Sequence, residues 1–297
     1  MRKVFITGGA GFIGKQLARR LEKNSDIKLY ILTRQTLEDR GNIRYIKGDI
    51  ANVTKITEII KDLSPTDLIH LAWDVKSEKY AASPQNYDWI LYSKQLLKAF
   101  LERGGKTVIA AGTCFEYDLS KNLPLNENFR GEPNTPYGKA KLKTKCIFED
   151  LCEEYNVRLV WGRIFYAYGK GEEKRKLLSS IAESLKNDQP FELKTPENVV
   201  DYINISDIAK IFEAFLFNPN AKGIINVGTG KGHKIREIAK KIARILGKDE
   251  SLLKFSTHKP VKIVADTKKL SSVFDCESFV EIDDGLKYLL CSAPIQK

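Results

Sequence analysis

The chain has 297 residues, 42% hydrophobic and 29% charged, enough to bury a sizeable core in one compact domain with a smaller lobe. It contains no run of some eighteen apolar residues, and its net charge of +11 is dispersed, with Lys and Arg interleaved with Glu as at Lys234, Arg236, Glu237, Lys240 and Lys241, so the reading is a cytoplasmic protein with neither a membrane nor a nucleic-acid partner. Five cysteines (Cys114, Cys146, Cys152, Cys276 and Cys291) form no Cys-x-x-Cys pair and have no His at ligand spacing, which argues for reduced thiols and against a bound metal.

Apolar runs near residues 2–7, 27–33, 43–47, 67–72, 106–111 and 157–164 alternate with helical patterns near 13–24, 52–63, 85–103 and 137–155. That alternation predicts an α/β fold, a Rossmann-type doubly wound parallel sheet. Beyond Gly162 the rhythm changes to a loop through Gly169-Lys170-Gly171, a helix near 174–187, short strands, and helices near 206–217 and 234–246. A smaller C-terminal lobe is expected there. The predicted division is a dinucleotide-binding domain over 1–161, also receiving segments near 203–228, and a mostly substrate-binding lobe over 162–297.

Between the first apolar run and the first helical pattern lies Thr7-Gly8-Gly9-Ala10-Gly11-Phe12-Ile13-Gly14. In a strand–turn–helix setting Gly8 can take the tight turn, Gly11 lets the backbone approach a pyrophosphate, and Gly14 lets helix and strand pack closely. In an open α/β sheet, ligands sit beyond the carboxyl ends of the strands, so positions 34, 49, 72–73, 111–114 and 165–166 come into question. After the second apolar run stands Thr33-Arg34, without the acid that would receive the 2′-hydroxyl of NAD. An Arg there can pair with a 2′-phosphate, which favours NADP(H) over NAD(H).

Thr135-Pro136-Tyr137-Gly138-Lys139-Ala140-Lys141 opens a predicted helix, with Tyr137 and Lys141 one turn apart on one face. An ammonium beside a phenol favours the phenolate and brings a group that titrates near pH ~10 toward acid/base work at neutrality. Thr113, at the end of the run Thr107-Val108-Ile109-Ala110-Ala111-Gly112, can bond a substrate oxygen beside that phenol.

With these motifs the chain resembles the extended short-chain dehydrogenase/reductases, the NAD(P)-dependent sugar-nucleotide epimerases, dehydratases and reductases. The resemblance runs from the Gly turn through Gly48-Asp49-Ile50, His70-Leu71-Ala72, Thr113, Tyr137 with Lys141, Gly162-Arg163-Ile164-Phe165, Tyr168-Gly169 and Asp201-Tyr202-Ile203-Asn204-Ile205 to Asn226-Val227-Gly228. It implies that Gly8, Gly11, Phe12, Ile13 and Gly14 hold the pyrophosphate and that Asp49 and Ile50 border the adenine. Leu71, Ala72, Ala111 and Ile164 would line the cofactor cleft. Tyr137 would exchange the proton, Lys141 would bind the nicotinamide ribose, and Thr113 would polarise the carbonyl. It also implies a homodimer through the helices near 85–103 and 137–155. His70 reads as a structural residue of a buried strand.

Departures narrow the reaction. The family's 4,6-dehydratases follow the Thr with an Asp-Glu pair, where this chain has Cys114-Phe115, so dehydration lacks its acid and base. Many 4-epimerases carry an Asn and an Arg where Tyr166 and Val200 stand. Lys259, before Pro260, replaces an Arg that contacts the diphosphate; Trp73 would wall the sugar pocket, and Cys114 is read mainly as a small buried filler. The reading that results is reduction of a nucleotide-linked 4-keto-6-deoxy sugar, with Tyr137 as proton donor. The alternative is a sugar-nucleotide epimerase using the same residues. A rival of another class is a non-catalytic dinucleotide-binding sensor or scaffold.

Overall fold

The computed structural model describes residues 1–75, 79–120, 125–129 and 131–290. Cys291 lies outside the described residues. In chain order the amino-terminal part runs β1 (Arg2–Thr7), α1 (Phe12–Leu21), β2 (Ile27–Thr33), β3 (Ile43–Lys47), α2 (Val53–Leu63), β4 (Asp67–His70), α3 (Asp88–Glu102), β5 (Thr107–Thr113), α4 (Pro136–Glu154) and β6 (Arg158–Ile164). There follow β7 (Tyr166–Tyr168), α5 (Leu177–Lys186), β8 (Phe191–Leu193), β9 (Val199–Asn204), α6 (Ile205–Phe217), β10 (Gly223–Val227), β11 (Gly232–Lys234), α7 (Ile235–Leu246), β12 (Leu253–Phe255), β13 (Lys262–Ile263), α8 (Lys268–Ser271) and α9 (Ile282–Leu290).

Seven parallel strands form the main sheet in the order β10-β6-β5-β4-β1-β2-β3. The strand order reverses between β1 and β4, which opens a crevice at their carboxyl ends. Because both faces of the sheet are covered, the inner strands are near-continuous apolar runs and alternate residues feed different cores. Val4, Ile6, Ile69 and Ile109 pack with α1 and α6, whereas Phe5, Leu68, Val108 and Ala110 pack with α2, α3 and α4. β10 joins the main sheet, so a segment far along the chain returns to the amino-terminal layer.

A third core, built on Leu178, Ile181, Val200, Tyr202, Ile238, Ile242 and Leu286, belongs to the elements after β6. There β7, β11 and β13 pair with β9, and β12 pairs with β8. Two predicted helices start three residues later than their patterns. The one near 85–103 begins as a 3-10 turn over Pro84–Tyr87, capped by Ser83, before α3 starts at Asp88. The one near 174–187 starts at Leu177, because Lys176 before it is extended. No helix among the described residues is long and apolar enough to cross a membrane.

Candidate active site

The Gly turn lies in the crevice between β1 and β4. Gly8 has φ +73°, and a Cβ there would stand 2.7 Å from the Ala72 nitrogen and 2.8 Å from the Leu71 carbonyl carbon, so only glycine lets the two strand ends meet. A Cβ on Gly14 would lie 2.2 Å from the Gly8 oxygen; its absence seats α1 on the turn. At Gly11 an added Cβ would meet only the Gly8 oxygen, at 3.1 Å. Gly11 is also the N-cap of α1, without a side-chain cap, and the first turn of α1 carries no acid. The positive end of the helix is therefore uncompensated and open, as an anion such as a diphosphate requires.

The other residues expected around a dinucleotide line the same edge. Leu71 continues β4, its amide donating to the Thr7 oxygen at 3.0 Å, and Ala72 follows it at the mouth of the crevice. Arg34 and Asp49, just past β2 and β3, face one another at 3.9 Å, both exposed, and Asp49 also accepts the Ala51 amide. Ile50 turns inward and is buried with Phe5, Tyr30 and Leu32. Ile164 and Ala111 are buried at neighbouring strand ends. His70 is buried between the Thr7 hydroxyl at 2.7 Å and the Ser93 hydroxyl at 3.0 Å; burial, with help from the Lys141 charge, pushes it down to about 3. It is a neutral strut of the strand, as its place in an apolar run suggests.

Thr113, Tyr137 and Lys141 converge at the carboxyl end of β5. Thr135 caps α4 by accepting the Gly138 amide at 3.1 Å, and a Cβ on Gly138 would fall 2.2 Å from the Phe115 oxygen. The helix can therefore press its first turn onto the segment after Thr113, which brings the Thr113 hydroxyl beside Tyr137. Tyr137 is 8% exposed and Lys141 3%.

The electrostatics differ from the sequence expectation at one point. Burial raises the phenol of Tyr137 well above its ordinary value, and the neighbouring Tyr80 adds to this, while the Thr113 hydroxyl opposes it. Lys141 does not bring the phenol down, because its Nζ is turned to the Ala111 carbonyl oxygen at 2.8 Å and lies over the Trp73 ring, 3.9 Å from its centroid. Burial in turn lowers Lys141 to about 7, against a smaller opposing pull from Glu116. One turn of helix puts the two residues on one face; packing decides which way the ammonium points.

Sequence reasoning passes over the residue that holds this corner together. Glu116 is wholly buried; its carboxylate accepts the Thr113 amide at 2.8 Å, the Trp161 Nε1–H at 3.0 Å and the Arg163 Nε–H at 2.8 Å. Thr113 answers by accepting the Phe115 amide at 3.3 Å, a capping box around the short 3-10 turn Cys114–Glu116. The sequence signal is the Thr-x-x-Glu spacing itself. Gly112 is needed beside it, since a Cβ there would collide with the Trp161 indole nitrogen at 2.1 Å. Arg163 lies over the ring of Tyr117, whose hydroxyl donates to Asn226 at 2.8 Å. Asp201 accepts from Thr229 and Gly230, both at 2.9 Å, and ties β9 to the loop after β10.

Aromatic side chains wall the phenol. Tyr80 meets Tyr137 edge-on at 5.2 Å, Phe115 at 6.0 Å and Trp73 at 6.2 Å, and Tyr166 lies 6.2 Å behind Phe115. Trp73 is half-buried and stacks on Trp89. Nothing in the local sequence marks Tyr80, which comes from a single 3-10 turn. Cys114 is buried among Tyr117, Phe165 and Tyr168, and burial pushes its thiol far up, which fits a filler. Lys259 is exposed in the segment between β12 and β13.

Comparison with known proteins matches this geometry to a family. A family model described as the NAD dependent epimerase/dehydratase family matches residues 4–228. The chain is 25% identical over 283 residues to a putative UDP-arabinose 4-epimerase 2 of Arabidopsis thaliana, covering 83% of this chain and 68% of that one. It is 24% identical over 273 residues to a UDP-glucose 4-epimerase of Azospirillum brasilense, covering 82% and 78%. Among solved structures, the Thermus thermophilus UDP-glucose 4-epimerase in complex with NAD shares the fold, with a TM-score of 0.82 at 22% identity over 97% of this chain and 98% of that one. With the family model spanning the Gly turn, Thr113, Tyr137, Lys141 and Asn226-Val227-Gly228, this chain belongs to the NAD dependent epimerase/dehydratase family.

Proposed function

We propose that the protein is an NAD(P)-dependent epimerase acting at C4 of a nucleotide-linked sugar. The observation that carries the reading is the convergence of the Thr113 hydroxyl and the Tyr137 phenol with buried Lys141 beside the crevice of the Gly turn. The 4-epimerases of UDP-arabinose and UDP-glucose among its relatives support this alternative over the ketoreductase that the altered residues suggested.

In this reading Gly8, Gly11, Phe12, Ile13 and Gly14 hold the dinucleotide's diphosphate, Leu71, Ala72, Ala111 and Ile164 line its cleft, and Asp49 and Ile50 border the adenine. The bound dinucleotide supplies a hydride acceptor and donor. Tyr137 exchanges a proton with the sugar oxygen, and Thr113 shares that oxygen's charge. Burial keeps the unliganded phenol protonated, ready to donate; to accept a proton it needs a cation, and Lys141 is the cation in the same pocket. Arg34 supports NADP(H) through its guanidinium, while Asp49 beside it is an acid suited to a ribose hydroxyl. Trp73, Tyr166 and Lys259 are the proposed substrate contacts, while buried Cys114 is kept as a filler. The division at residue 161 belongs to the same proposal, as does a homodimer through α3 and α4, which the exposed Tyr87 and Leu91 support.

One observation favours a ketoreductase as second reading. The rings of Trp73, Tyr80 and Phe115 around Tyr137 suit a methyl group better than a hydroxymethyl, as in a 4-keto-6-deoxy sugar. Incubation with UDP-linked sugars in NAD+ or NADP+, and with nucleotide-linked 4-keto-6-deoxy sugars in NADH or NADPH, separates them. Conversion without net cofactor oxidation supports the epimerase, and stoichiometric oxidation the ketoreductase. Tyr137→Phe should then lower kcat by about 10²–10⁴. Tight dinucleotide binding with no turnover on any sugar would leave the sensor reading.

A further inference from the structure

We propose that Trp73 is a positioning residue for Lys141: the face of its indole holds the lysine as an ammonium beside the end of β5, in place to receive the ribose of a dinucleotide. This rests on the cofactor reading above. The Lys141 Nζ stands 3.9 Å from the Trp73 ring centroid, well inside the distance at which a ring's negative face attracts a cation, and also donates to the Ala111 oxygen at 2.8 Å. The ring is fixed from three sides. Its Nε1 donates to Asn86 at 2.8 Å, its face stacks on Trp89 at 5.5 Å, and it meets the edge of Tyr137. Asn86 is itself 3% exposed and donates to the Tyr80 and Ser83 oxygens at 2.6 and 2.8 Å. A chain of contacts thus runs from a 3-10 turn to a buried charge.

The charge needs such a partner. Lys141 is almost out of water, and no carboxylate among the described residues bonds it: Glu116 acts on it from a distance, already bonded to Arg163. His70 faces it as a neutral ring and Tyr137 as a neutral phenol. Burial alone works toward the uncharged amine, which cannot offer three donors to a carbonyl and a ribose together. The ring face opposes that without competing for the protons, so the same ammonium remains free to bond.

The test uses the full chain with Trp73→Phe and Trp73→Leu. In the unliganded protein, 13C NMR of the lysine Cε, assigned with Lys141→Arg, reads the titration of Lys141; binding of NADH and NADPH is measured by calorimetry at pH 6 and pH 8. The expected result is a midpoint lowered by about one unit in Trp73→Leu and mostly restored in Trp73→Phe. Dinucleotide affinity should fall about tenfold at pH 8 in Trp73→Leu and stay within about twofold at pH 6. An unchanged midpoint, or equal losses at both pH values, would overturn the proposal and leave Trp73 a wall. If Trp73→Leu does not fold, fluorinated tryptophan incorporated in a Trp89→Phe background drains the ring face without altering its shape, and must lower the midpoint more than the same label in a Trp73→Phe, Trp89→Phe background, where only Trp161 carries it. Failure of the parent protein to bind either dinucleotide would count against the proposed function, while the NMR midpoint would still decide the role of Trp73.

Discussion

Glu116 and Arg163 form an ion pair at 2.8 Å with side-chain exposures of 0% and 2%, and that pair anchors the amide of Thr113. Removing one member leaves the other as an uncompensated buried charge. Glu116→Leu or Arg163→Met should each cost about 3–5 kcal/mol, whereas the double substitution should cost clearly less than the two together. Urea unfolding of the four proteins measures this. Additive losses would show that the pair does not act as a unit.

Two glycine substitutions should separate binding from chemistry. Gly14→Ala places a methyl 2.2 Å from the Gly8 oxygen and 2.5 Å from the Gly9 Cα, backbone that cannot yield cheaply. It should weaken dinucleotide binding at least about tenfold and cost about 1–3 kcal/mol of stability. Gly138→Ala meets the Phe115 oxygen and should move Tyr137 relative to Thr113, lowering kcat by about 10² with dinucleotide affinity within about threefold. Calorimetry and turnover on one sugar distinguish the two patterns.

Stability should rise with pH on account of Lys141. Its folded value of about 7 lies below the unfolded value of 10.5, so between these pH values the unfolded chain binds a proton that the native chain has released. Below pH 7 it is charged in both states and the cost of burying it is present in full. Relative to Lys141→Met, the parent should therefore gain up to about 1.4 kcal/mol per pH unit from pH 7 upward. The comparison stops near pH 10, where Tyr137 and other buried phenols begin to act in the opposite sense. Urea titrations at pH 6.5, 7.5, 8.5 and 9.5 provide the slope, and parallel curves for the two proteins would refute it.

Arg34 should set the choice of dinucleotide. Its guanidinium is exposed and its ion pair with Asp49 is loose, so it remains open to a 2′-phosphate. Arg34→Ala should weaken NADPH binding about tenfold or more and leave NADH within about threefold, and Asp49→Asn should favour NADPH. Competitive titration of both dinucleotides against each variant gives the ratio. Equal losses for the two would remove the 2′-phosphate role.

The main sheet and the turn of Gly8, Gly11 and Gly14 are legible in the sequence because they rest on local periodicity: residues two apart share a strand face, residues four apart share a helix face, and glycine relieves a specific backbone crowding. The same local rules put Tyr137 and Lys141 on one helical face and bring Thr113 to a strand end. Less legible was the neighbourhood of Trp73, Tyr80 and Asn86, because short 3-10 turns carry no period.

What the sequence determined by itself was therefore which groups exist at the crevice, a phenol, an ammonium and a hydroxyl, and that they follow a dinucleotide-type turn. Only the tertiary structure decided their state. Dielectric environment and charge partners come from segments far apart in the chain, as when Arg163 meets Glu116 and Trp73 covers Lys141. That is why Lys141, expected to bring the Tyr137 phenol down, is itself brought down to about 7 by burial, while its Nζ turns toward Ala111 and an indole face.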